Sequence, residues 1–281
     1  MQEMIVLYGL ALVWTVFAVI QDFRKTEVSD WLNFSLLGVA LAYRAFYSLG
    51  GNWNFFIFGV LGFLVFFVLS QLFYYSGVFG GGDAKLMWAY GAILPFNNFG
   101  DLFVVSLIFI FALFFIGAVY SLIYSLFIVI RNFKRFEKNW KVVYGKYGGG
   151  LWGISIGVIL VGLVFNIMGV VNSQTLLLAF AMGLFPWLFA YLVSLDKAMV
   201  VLVKPGELQE GDWIMGDVLV AGKIVKKTVH GLSFEDINLL KKHKKSVLIK
   251  RGIPYTVNFL FALLFMLFFS EALILLFFSL F

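Results

Sequence analysis

Two carboxylates stand where a membrane-length apolar chain should carry no charge. Asp83 follows the run Gly80-Gly81-Gly82 and precedes Ala84-Lys85, at the junction of two apolar segments. Asp22 closes the first apolar segment, in Gln21-Asp22-Phe23-Arg24-Lys25. Ionisable groups near membrane depth are costly, so a functional role is the default expectation for them. Two such groups at one face of a helical bundle are the minimum equipment for aspartyl-protease chemistry. One carboxylate takes a proton from water while its protonated neighbour polarises the scissile carbonyl, and the pair titrates as a unit. The helix dipole favours the anion at Asp83, which begins a helix, over Asp22, which ends one, by only ~0.3–1 kcal/mol; Arg24 opposes that preference.

Each residue also has a plainer reading. Asp83 could simply cap the helix that starts at Ala84, accepting free backbone N–H groups. Asp22 could be an interfacial charge beside Arg24 and Lys25. Their shared depth, with three glycines before one of them, favours chemistry. Residues without a side chain permit close backbone approach and positive φ, which suits an extended peptide laid against the acids. Gly80, Gly81, Gly82 and Lys85 are therefore candidate substrate contacts, together with Glu27 and Asp30 in the loop that follows Asp22. Asp30 also reads as a helix cap before Trp31.

The elements that must position these groups follow from composition. The chain has 281 residues, of which 62% are apolar, 20% aromatic and 13% charged, against roughly 25% charged in a soluble domain. The expected fold is an all-α polytopic membrane protein. Apolar segments at about 4–20, 31–49, 53–75, 84–95, 102–130, 151–171, 175–195 and 253–279 give about eight transmembrane helices. The first is not a cleaved leader, because Glu3 stands where positive charge belongs and Arg24 and Lys25 come after the apolar run. With the amino end outside, the inner loops 21–30, 76–85, 131–150 and 196–252 hold 20 of the 21 Lys and Arg residues, as the positive-inside rule demands. Arg44 alone is left over. The shortest segment, 84–95, would rise only ~18 Å as a helix, so a short crossing is expected there; a re-entrant segment would put the basic loop 131–150 outside. Asp22 and Asp83 both fall at the cytoplasmic ends of their helices.

The expected domains are a catalytic membrane core over 1–130, an interfacial loop or helix over 131–150, a further helix pair over 151–195, a cytoplasmic module over 196–252 and a last transmembrane helix over 253–281. Phe133, Phe136, Trp140 and Val143 or Tyr144 lie at helical spacing among basic residues, the pattern of a helix lying on anionic lipid. In the module, Val200–Val203 and Val218–Val229 read as strands with turns at Pro205-Gly206 and Gly222. Ser233-Phe234-Glu235-Asp236 reads as a capping box opening a helix to about Lys245. Its lysines suit anionic headgroups, and nucleic-acid binding is not expected. The chain has no cysteine, and His230 and His243 read as surface residues, so no metal site and no cofactor are expected.

On these residues the chain resembles the prepilin peptidase family of GxGD membrane aspartyl proteases, most closely its archaeal branch, which includes preflagellin peptidases. The resemblance rests on Gln21-Asp22-Phe23-Arg24-Lys25-Thr26-Glu27-Val28-Ser29-Asp30 and on Gly80-x-Gly82-Asp83-x-Lys85. Gly231–Ile237 and Arg251-Gly252-Ile253-Pro254-Tyr255 also resemble the tail of archaeal members. It implies that Asp22 and Asp83 are the catalytic pair and that the substrates are prepilin or preflagellin precursors with a short basic leader. Bacterial members carry cysteine tetrads and methylate the new amino terminus, so peptidase activity without methyl transfer is expected here. Presenilin-type proteases expect a Pro-Ala-Leu element, which none of Pro95, Pro186, Pro205 or Pro254 supplies. The rival reading is a proton- or cation-coupled transporter, whose carboxylates tend to lie near the midplane on interrupted helices in repeated halves; no repeat is visible.

Overall fold

An apolar chain in hydrocarbon has no water to satisfy its backbone, so its long apolar runs close their hydrogen bonds internally as helices. The computed structural model describes residues 2–25, 27–228, 231–250 and 252–280, and it is 75% helical. Thr26, His230 and Arg251, which the sequence reading used, lie outside the described residues. Among the described residues five helices are long and apolar enough to span a membrane: Glu3–Lys25, Trp53–Tyr75, Phe99–Arg131, Phe133–Ile167 and Gln174–Ala198. Val257–Phe269 is a shorter apolar helix. A multi-pass membrane protein is thus the architecture, with five clear spans where about eight were expected.

The chain divides into two units. One comprises Met1–Leu122, Thr228–Ser233 and Gly252–Phe281, and the other Ile123–Lys227 and Phe234–Arg251. The first contains α1 (Gln2–Lys25), α2 (Asp30–Ser48), α3 (Trp53–Tyr75), α4 (Gly81–Ile93), the first part of α5 (Phe99–Arg131) and α9 (Val257–Leu280). Its core is apolar and aromatic, with Phe66, Phe79, Phe96, Phe109, Phe259, Leu86 and Met87 at 1% exposure or less.

The short α4 lies inside this unit, packed on α2 and α3, with Met87, Ala89, Tyr90, Ala92 and Ile93 fully buried. Its burial explains why 13 residues suffice. A Cβ at Gly62 would collide with the Gly91 carbonyl, and one at Gly91 with the Gly62 carbonyl, so the two glycines let α3 and α4 meet backbone to backbone. Pro95 forces Leu94 into extended backbone, with ψ of 150°, and ends the helix. That leaves carbonyls without helical partners. Arg44, the residue left over from the charge pattern, supplies them. Fully buried, it donates through Nε to Ala92 O (2.6 Å), through Nη1 to Phe55 O (2.6 Å) and through Nη2 to Leu94 O (2.5 Å) and Ile93 O (3.3 Å). Its guanidinium stacks 4.4 Å from the centre of the Phe55 ring.

The second unit contains the end of α5, the helices α6 (Phe133–Ile167) and α7 (Ser173–Ala198), and a small mixed module. The basic stretch expected as a separate interfacial helix runs without a break into the apolar segment, and both form α6. Its aromatic stripe is covered in part, with Phe133 and Tyr144 left exposed. Phe136 packs on Tyr191 at 5.5 Å and Trp140 on Trp187 at 6.5 Å, and Val143 is 4% exposed. In the module, β1 (Val200–Val203) and β2 (Trp213–Ile214) flank β5 (Val247–Lys250), both antiparallel to it. Strands β3 (Val218–Val220) and β4 (Lys223–Val225) form a hairpin through Ala221 and Gly222 at φ of 48° and 82°, the left-handed pair a two-residue hairpin turn requires. Helix α8 (Phe234–Lys242) stops short of Lys245 because Lys244 turns left-handed at φ 49°. His243 is exposed, as expected.

Candidate active site

Asp22 sits in the last turn of α1 and is 7% exposed; Asp83 is the third residue of α4 and half-buried. The fold brings them together, through a residue the sequence reading did not single out. Thr256, fully buried just before α9, donates its backbone N–H to Asp22 Oδ2 at 3.1 Å and its hydroxyl to Asp83 Oδ1 at 3.2 Å. Three helices thus converge on one acidic pair. A signal for Thr256 was available: the charge pattern puts the start of the last apolar segment at the same face as Asp22 and Asp83, and Thr256 is a polar residue at that start.

A second polar layer lies deeper. Tyr90 and Thr15 share a hydrogen bond of 2.8 Å between their hydroxyls, and the Tyr90 hydroxyl donates to Phe259 O at 3.2 Å. Tyr90 comes seven residues after Asp83 and Thr15 seven before Asp22, two helical turns in each case, so both layers use the same faces of α1 and α4. Tyr90 and Thr15 are fully buried.

Gly80 has φ of −72°, and neither Gly81 nor Gly82 takes a positive φ, so no left-handed backbone is required at this motif. A Cβ at Gly82 would lie 3.1 Å from Val28 Cβ and 3.2 Å from Val28 N. The close approach there is to the loop after Asp22, which draws the start of α4 against the end of α1. Asn33 fixes the same junction by donating to Gly82 O at 3.1 Å. A Cβ at Gly80 would stand 3.4 Å from Asp83 Oδ2, and one at Gly81 3.9 Å from the Tyr74 ring.

The charged candidates separate. Asp30 is the first residue of α2, behind Ser29 in the capping position, and it does not cap the helix; its carboxylate forms an ion pair with Lys85. Lys85 also stands 6.0 Å from the centre of the Phe34 ring. These two candidate substrate contacts therefore hold each other across the α2–α4 junction. Glu27 is exposed in the loop beside them. Gln21 braces that loop, its Oε1 accepting from Ser29 N at 3.0 Å. Among the described residues no group of three or more His, Cys, Asp or Glu could hold a metal ion.

Residues 9–122 match the type IV leader peptidase family. Among curated proteins, a preflagellin peptidase of Methanococcus maripaludis is 31% identical over 90 residues, covering 31% of this chain and 38% of that protein. A preflagellin peptidase of Methanococcus voltae is 25% identical over 136 residues, covering 44% of this chain and 57% of that protein. The chain thus spans 38% and 57% of the length of these two relatives. No solved structure matches the chain. The matched stretch contains both aspartates and the glycine run, so the resemblance read from those residues is borne out.

Proposed function

We propose that the chain is a membrane aspartyl endopeptidase that removes the short basic leader from type IV prepilin-like or preflagellin precursors at the cytoplasmic membrane face. One observation carries the reading: Asp22 and Asp83, on different helices, accept hydrogen bonds from the same residue. Two carboxylates held that close cannot both ionise freely, so they share a proton. The ionised member takes a proton from a water molecule, the water oxygen attacks the scissile carbonyl carbon, and the protonated member donates its hydrogen bond to the carbonyl oxygen. Collapse of the tetrahedral intermediate passes a proton to the leaving amine and restores the shared state. Neither step calls on a metal or a cofactor, and methyl transfer is not part of this function.

With the amino terminus outside, the inner loops hold nearly all the Lys and Arg residues, which supports a dyad on the cytoplasmic side. There the lysines of 196–252 meet anionic lipid. A basic leader needs an acidic contact on this basic face. Glu27, exposed in the loop that follows Asp22, contacts the basic leader, while Gly80 and Gly81 flank the peptide backbone. Adding membranes that contain the protein to a panel of leader-bearing precursors tests the function: loss of the leader mass from a precursor is the expected result. Proton- or cation-dependent solute uptake with no precursor cut would establish the transporter reading instead.

A further inference from the structure

The Thr256 hydroxyl is placed unusually for its position. Thr just ahead of a helix ordinarily turns its oxygen back to accept from the N–H groups of the first turn. Here Phe259 N bonds to the Thr256 carbonyl at 3.1 Å and Asn258 N to Tyr255 O at 2.9 Å, while the hydroxyl donates across to Asp83. The Thr256 N–H precedes the helix, so it has no intrahelical acceptor; it points to Asp22. Both donors of one fully buried residue are thus spent on the two acids. Backbone and hydroxyl of a single residue are separated by fixed covalent geometry, so the distance between the carboxylates is tied to it.

The surroundings hold Thr256 rigidly. Pro254 fixes the approach to α9. The neighbouring Tyr255 ring packs on Phe79 at 5.6 Å and its hydroxyl reaches Leu113 O at 3.4 Å. Gly117 leaves the room this needs, because a Cβ there would lie 2.5 Å from the Tyr255 hydroxyl. The deeper layer of Thr15, Tyr90 and Phe259 O ties the same three helices a second time.

We infer that Thr256 is the positioning residue of the Asp22–Asp83 pair, setting the spacing and orientation of the two carboxylates. This inference rests on the catalytic reading of the pair proposed above. Thr256 touches no substrate atom and acts through the acids. The hydroxyl arm can be removed by substitution, whereas the backbone arm stays.

The test compares Thr256→Val, nearly the same shape without the hydroxyl, with Thr256→Ser, which keeps it, and with Thr256→Ala, which lacks both the hydroxyl and the branch. Cleavage of a leader-bearing precursor is followed in purified membranes. Loss of a hydrogen bond to a charged group predicts a kcat about 10- to 100-fold lower in Thr256→Val, with KM within about twofold, and Thr256→Ser within about threefold of the parent. If Thr256→Val does not accumulate in membranes, the Ser and Ala pair decides in the same way. A parental kcat in the hydroxyl-free variants, or equal losses in Ser and Ala, would overturn the inference. Asp22→Asn and Asp83→Asn are run beside them. Cleavage by either of those variants overturns the catalytic reading itself, whereas two dead Asn variants beside an active Thr256→Val overturn the role of Thr256 alone.

Discussion

Arg44→Ala isolates one buried cation whose partners are all known. The substitution leaves the carbonyls of Phe55, Ala92, Ile93 and Leu94 without their donor. A buried acceptor stripped of its partner costs about 1–3 kcal/mol. The sum is offset because a desolvated charge is removed and the end of α4 relaxes inward. The net loss should fall near the ~3–5 kcal/mol seen when a buried charged network loses one member. At about 2–4 °C per kcal/mol for a unit of this size, the apparent Tm of the detergent-solubilised protein drops by roughly 6–20 °C. A second substitution sharpens the test. A Cβ at Gly59 would collide with the Arg44 side chain, so Gly59→Ala destabilises the parent protein. In the Arg44→Ala background the same methyl enters vacated space and costs little, which makes the double variant less destabilised than the two single losses added together. A fluorescence melt of the four proteins reads both effects. An Arg44→Ala Tm within about 2 °C of the parent, or strictly additive losses, would refute the capping role.

Three further outcomes follow from the same geometry. Single cysteines at Ser76, Lys138 and Lys223 stay shielded from an impermeant thiol reagent in intact cells, whereas Asn97→Cys is labelled; labelling of Lys138→Cys from outside would mean that the segment 84–95 is re-entrant and does not cross. Glu27→Gln lowers kcat/KM only a few-fold, since an exposed ion pair is worth ~0.2–1 kcal/mol, but Glu27→Lys impairs a basic leader and spares an acidic one, and equal impairment of both would remove Glu27 from leader recognition. Asp30→Asn releases Lys85 and changes the Tm by no more than about 2 °C, because the lost pair is partly exposed; a much larger fall would mean that the α2–α4 junction depends on it.

The acidic pair was legible in the sequence because a carboxylate next to an apolar segment is too costly to be casual. Asp22 and Asp83 announced themselves by that cost, and the charge pattern put them at one depth. Thr256 carries no charge and no such cost; its place at the start of the last apolar segment put it at the face of the acids, but its contact with both of them emerged only once three helices had been assembled. Arg44 was visible as an exception to the charge pattern, but its role depends on carbonyls released by Pro95, far along the chain. The ion pair between Asp30 and Lys85 joins two residues that each had a plausible local role, and pairwise contacts of that kind leave no periodic trace.

Other differences come from the solvent. The boundary expected at residue 150 lies just after Gly148, Gly149 and Gly150, and each glycine weakens a helix in water by about 1 kcal/mol. Within an apolar surround an open backbone costs more than that, and α6 continues through all three. The central strand β5 follows a lysine cluster and is only four residues long, too short for alternation to stand out. It is recognised from its pairing with β1 and β2. The hairpin at Gly222 and the strand at Val200 were readable because turn chemistry is local.

The most direct measurement is cleavage of a leader-bearing precursor by Asp22→Asn and Asp83→Asn, each confirmed by its abundance in the membrane and its melting behaviour to be folded. Loss of one carboxylate leaves no pair to share a proton, so each variant is expected to release no detectable leader while the parent protein processes the same precursor to completion. Substantial cleavage by either folded variant would contradict the account.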